Sequence, residues 1–114
     1  MVIVGDMVVV ETAATLRSLE EIRTQLRELK PTLRKRFKVE TIDIFGSYAR
    51  GKQTGKSDLD ILVTYSKTEP VSLLTVAGLR RYLRRKLGLK VDVISKEFIN
   101  KHIKDQVLRE AVGV

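Results

Sequence analysis

The chain has 114 residues, enough for one domain and too few to add a separate substrate-recognising domain. It carries no cysteine and one histidine, which excludes disulfides, thiolate metal ligands and a His-rich zinc site, and leaves carboxylates, which suit magnesium or manganese. The formal charge of +8 favours anionic partners: nucleic acid, an acidic protein or a nucleoside triphosphate.

No apolar run approaches the ~20 residues of a membrane helix. The apolar start Met1 to Val10 is broken by Asp6 and lacks a basic region and a small-residue cleavage site, so the chain is expected to be cytoplasmic, without membrane contact. A single domain is expected over 1–114, with 1–11 as a flexible extension and Met7 as an alternative start.

Leu16, Leu19, Ile22, Leu26, Leu29 and Leu33 recur at helical spacing and predict an amphipathic helix from about Thr12, bent or restarted at Pro31. A strand Val39 to Phe45 follows, then a Gly-Ser turn, a short helical piece, a polar loop Lys52 to Ser57 and a strand Asp58 to Tyr65. Pro70 and Gly88 bracket a helix with Val76, Leu79, Leu83 and Leu87 inward. A short buried strand Val91 to Ile94 leads through Ser95, as N-cap, into a last helix with Ile99, Ile103, Val107 and Ala111 as its stripe. The fold class is α/β, a small mixed sheet flanked by helices.

The chemistry concentrates between Phe45 and Asp60. Ten residues separate Ser47 from Asp58. Alternation along the strand puts Asp58 and Asp60 on one face, roughly 7 Å apart, where two carboxylates attract a divalent cation. Gly46 and Ser47 end an apolar strand and open a turn whose free N–H groups favour phosphate oxygens. Asp92, inside the apolar run Leu89 to Ile94, costs several kcal/mol if buried without a compensating cation or partner. Its flanking valines leave open an acid pointing outward from an edge strand. Asp43, between Ile42 and Ile44, is expected at an exposed edge position, His102 at the surface, and Tyr48 and Tyr82 in packing.

Gly46-Ser47-Tyr48-Ala49-Arg50-Gly51, the Asp58-Leu59-Asp60 pair and Lys90-Val91-Asp92-Val93 together resemble the minimal nucleotidyltransferase (MNT) family of the DNA polymerase beta superfamily, over nearly the whole chain. The resemblance implies a polymerase beta-like core. It implies Asp58, Asp60 and Asp92 as catalytic and metal-binding residues, holding two Mg²⁺ (or Mn²⁺) ions roughly 3.5–4 Å apart. Gly46, Ser47 and Arg50 would bind phosphate. ATP would be the substrate, AMP the transferred group, and a hydroxyl, in the first place a tyrosine, of a HEPN-domain toxin the acceptor, with the chain acting as its antitoxin and as part of an oligomer with it. Two alternatives stand beside this: a non-catalytic antitoxin that neutralises by docking, and transfer to a small-molecule acceptor. Arg80, Arg81, Arg84, Arg85, Lys86 and Lys90 read either as a solvated helix face near the C-terminal dipole or as a docking patch. The lack of interleaved aromatic residues weighs against direct nucleic-acid binding.

Overall fold

A computed structural model describes residues 16–114. The start of the first helix near Thr12, like the extension 1–11, lies outside the described residues. Helix α1 (Leu19–Phe37) starts at Ser18, whose hydroxyl accepts from the Glu21 N–H at 3.2 Å while the Glu21 carboxylate accepts from the Ser18 N–H at 2.9 Å. This reciprocal cap satisfies two N–H groups that the helix itself cannot. The helix continues through Pro31 without a restart, one of the two outcomes expected there, and buries Ile22, Leu26, Leu33 and Phe37, whereas Leu16 precedes it and is exposed.

Strands β1 (Val39–Phe45) and β2 (Leu59–Tyr65) pair antiparallel, with an irregularity between Val39 and Thr41. Helix α2 (Leu73–Leu87), capped by Ser72 and closed by Gly88 in the left-handed conformation, carries the chain to β3 (Val91–Ser95), which is parallel to β2. Parallel neighbours need such a crossover. The pattern placed this helix well, Leu79, Leu83 and Leu87 being buried, although Pro70 lies ahead of the cap.

A 3-10 turn (Lys96–Phe98) and helix α3 (Lys101–Glu110) follow, and a two-residue strand β4 (Val112–Gly113) pairs antiparallel with β1. Asn100, not Ser95, caps α3 by accepting from the His102 N–H at 2.8 Å. The expected apolar stripe of this helix buries no residue, and Ile103 is exposed. His102 is exposed, as expected.

The sheet order is β3-β2-β1-β4. Helices α1 and α2 cover one face, where Ile42, Ile44, Leu59, Ile61, Val63 and Val91 join Leu26, Leu79 and Leu83 in the core. The alternate positions, Asp43, Asp60, Leu62 and Asp92, share the opposite face. Because β3 and β4 are the two edges, the chain between them passes over this second face. Lys96 Nζ there meets Asp43 Oδ2 at 2.5 Å. This corrects the expectation for Asp43. Strand β4 makes β1 an interior strand, and the Asp43 side chain is only 18% exposed and ion-paired.

Candidate active site

The acids meet where β1 ends and β2 and β3 begin. Asp60 is the second residue of β2, and its lateral neighbours are Phe45 on β1 and Asp92 on β3. Residues in register across neighbouring strands point to the same face, so Asp60 and Asp92 stand side by side. Asp58 lies just outside β2 and is exposed. The loop before it is held by Ser57, whose hydroxyl accepts from the Thr54 N–H at 2.8 Å, and Leu59 N–H donates to Lys90 O at 2.8 Å.

Asp92 departs from the expected burial. Strand β3 is an edge, and the Asp92 side chain is 48% exposed, with Arg84 Nη2 at 4.0 Å. It is nonetheless on the face of Asp60 rather than turned away from it.

The Gly-Ser turn closes against Asp60. Gly46 has φ of 75°, and a Cβ there would collide with Asp60 Oδ2 and stand 3.3 Å from its Cγ. Only glycine permits this approach in this conformation. The expected short helix is instead a compact turn, in which Arg50 N–H donates to Gly46 O at 3.1 Å and Lys52 N–H to Ser47 O at 2.9 Å. Tyr48, 2% exposed, anchors the turn in the core, which bears out its reading as a packing residue; Tyr82 is buried likewise.

Arg50 leaves the turn to meet Glu110 at the end of α3, Nη1 to Oε1 at 3.1 Å. Nothing local in the sequence signals Glu110, since the pair spans sixty positions.

Burial raises the pKa of Asp60 first, and the negative charges of Asp92 and Asp58 add to it, while Arg50 opposes them. A carboxyl whose pKa is raised by folding holds protons more tightly in the folded than in the unfolded chain. Stability therefore falls as pH rises through the interval above the ordinary aspartate value, and the cost persists at neutral pH. Asp60→Asn should raise the thermal midpoint of the metal-free protein by a few degrees at neutral pH. The gain should vanish as pH drops below the ordinary aspartate value, which a series of thermal melts would show.

Among the described residues no three acidic or histidine side chains already close around one point. Magnesium seldom needs this, since it is commonly held by one or two carboxylates together with substrate phosphates. An all-oxygen pair of acids, one of them raised in pKa by burial and by neighbouring negative charge, fits such an ion. A groove of about 610 Å³ lies at the other end of β2 and β3, lined by Tyr65, Val76, Val93 and Phe98. Clustered charge, not groove volume, marks the chemical site here.

The nucleotidyltransferase domain family matches residues 26–114. Protein adenylyltransferase MntA of Thermococcus cleftensis is 45% identical over 97 residues, covering 85% of this chain and 96% of that protein. A minimal nucleotidyltransferase of known structure has a TM-score of 0.72 at 36% identity, over 86% of this chain and 97% of the other. A toxin-antitoxin structure with AMP-PNP gives 0.64 at 25% identity, over 79% of this chain and 69% of that one. The family match, the shared fold and the Gly46–Asp60 junction agree, and the chain belongs to the nucleotidyltransferases, in their minimal form.

Proposed function

We propose that this nucleotidyltransferase moves AMP from ATP to a hydroxyl, in the first place a tyrosine, of a HEPN-type toxin, and so acts as its antitoxin. The observation that carries the chemistry is the packing of Gly46 against Asp60, with Asp92 in register beside it. Support for the nucleotide and the partner comes from the adenylyltransferase relative and from the toxin-antitoxin structure with AMP-PNP.

In this reading Asp58, Asp60 and Asp92 hold the divalent cations, magnesium in the first place. Bound there, the cations would neutralise phosphate charge and stabilise the attacking and leaving oxygens. Gly46 and Ser47 present backbone N–H groups, and the Ser47 hydroxyl, to the β- and γ-phosphates. The acceptor hydroxyl attacks the α-phosphorus, a new P–O bond forms, the bond to the bridging oxygen breaks, and pyrophosphate leaves. Asp92, half exposed beside Asp60, accepts the hydroxyl proton. Arg50, whose guanidinium faces Glu110, supplies positive charge at the mouth of the site.

A protein acceptor suits the remaining surface. Leu73, Leu74 and Phe98 are more than four-fifths exposed, an apolar expanse of the kind a partner covers. Among the described residues no helix is long and apolar enough to cross a membrane.

The test is transfer from ATP labelled at the α-phosphate, with magnesium, into a lysate of the source organism. The expected result is a labelled protein band, with the label on a tyrosine hydroxyl of a HEPN-type protein. A protein that binds ATP and magnesium yet labels nothing would overturn catalytic neutralisation in favour of docking alone. Label appearing only in small molecules would overturn the protein acceptor.

A further inference from the structure

On the far side of the sheet from Asp60, the helical layer gathers positive charge that catalysis does not use. The last turn of α1 carries Arg34, Lys35 and Arg36, and that of α2 carries Arg85 and Lys86 beside Arg84, which instead reaches Asp92 at 4.0 Å. Helix dipoles favour cations at each of these ends separately. They do not account for the convergence of the two groups. Phe37 and Tyr82 pack together with ring centroids 5.3 Å apart, and the Arg36 guanidinium carbon lies 5.0 Å from the Phe37 centroid and 5.2 Å from that of Tyr82. Arg85 and Lys86 stand over the same Tyr82 ring, each at 5.7 Å. Three cations thus gather around one ring, and among the described residues none of the three has an acidic partner. Arg81 and Arg85 add a like-charged pair four positions apart, which destabilises a helix.

We propose that this surface binds the phosphodiester backbone of nucleic acid. Two features favour nucleic acid over an acidic protein. Protein interfaces have an apolar centre, and none of the exposed large apolar side chains lies in 34–38 or 80–90; they sit elsewhere, at Leu73, Leu74 and Phe98 among others. Nucleic-acid interfaces are more polar and more positive. The guanidinium groups of Arg36 and Arg85, ordered over an aromatic ring, keep donors for phosphate oxygens. Phe37 and Tyr82 are buried, so they act as the floor beneath the cations and not as a base-stacking platform. The absence of aromatic residues interleaved with an exposed basic run weighs against base stacking, whereas phosphate contacts need none. The two cationic segments are far apart in the chain, and only the packing of α1 on α2 joins them.

The experiment is fluorescence anisotropy with a short labelled duplex RNA and, in parallel, a duplex DNA of the same sequence, over a series of salt concentrations. The triple variant Arg36→Gln/Arg85→Gln/Lys86→Gln should weaken binding about tenfold or more and flatten the log–log salt slope by roughly 2–3. A charge-matched control, Lys101→Gln/Lys104→Gln/Arg109→Gln on α3, should bind nearly as the wild type does. Tighter binding of one duplex identifies RNA or DNA as the source of the phosphates, and equal binding assigns backbone contact to either. Equal losses in both triple variants would overturn the proposal, leaving net charge alone. So would a wild type that ignores both duplexes at low salt, or one that binds polyglutamate in preference to them, which would assign the patch to an acidic protein. Thermal melts check folding. If the triple variant unfolds, Arg85→Gln/Lys86→Gln, which leaves Arg36 on its rings, should still lose severalfold in affinity, and an unchanged affinity in that variant would equally overturn the proposal.

Discussion

Asp58→Asn combined with Asp60→Asn is expected to reduce AMP transfer by about 10³-fold or more, the scale on which loss of even one group that stabilises transition-state charge costs 10²–10³. The double variant should remain folded. Among the described residues neither carboxylate makes a hydrogen bond or an ion pair, so none is lost. Asn has the size of Asp, and at position 60 it removes a charge that burial and two neighbouring acids oppose. Loss of activity with an unchanged or raised thermal midpoint is therefore the signature of a site rather than of a scaffold. Rates of label incorporation and a thermal melt on the same preparations measure both. Retention of wild-type transfer by the double variant would remove the carboxylates from the mechanism.

The parts of this fold that were legible in the sequence are those fixed by local pattern and a shared core. Leu79, Leu83 and Leu87 repeat at helical spacing because one face of α2 must meet the sheet, and Gly88 marks its end because the chain turns there in the left-handed conformation. Alternation along β2 likewise sets Asp60 on the opposite face from its neighbours Leu59 and Ile61, and the structure shows that the helices cover theirs. Pattern fails where position depends on a distant element. Asp43 reads as an edge acid until β4, two residues long and without a signal of its own, pairs outside it. Ile99, Ile103 and Val107 have the spacing of a buried stripe, yet α3 buries none of its residues, since spacing does not specify what a face packs against. Asp92 has an apolar run around it, but whether its strand is central or at the edge is a matter of topology. The Arg50–Glu110 pair is invisible for the same reason: α3 brings Glu110 back to the turn only after β2, α2 and β3 have been laid down.

Gly46→Ala should separate backbone strain from site geometry when set beside Gly51→Ala. Both glycines have positive φ, 75° and 70°, so alanine at either costs about 1–2 kcal/mol of stability. Their surroundings differ. A Cβ at Gly51 meets nothing within 4 Å, whereas one at Gly46 collides with Asp60 Oδ2. The turn cannot retreat freely, because Tyr48 is buried two residues later, and Asp60 is tied into the sheet between β1 and β3. The carboxylate must therefore move, and a displacement of about 1 Å in a reacting group can cost 10²-fold in rate. Denaturant melts should show similar losses of stability for the two variants. Transfer assays should show near wild-type rates for Gly51→Ala and a drop of about 10²-fold for Gly46→Ala. Equal rates in the two would mean that the contact between the turn and Asp60 has no part in placing the reacting groups.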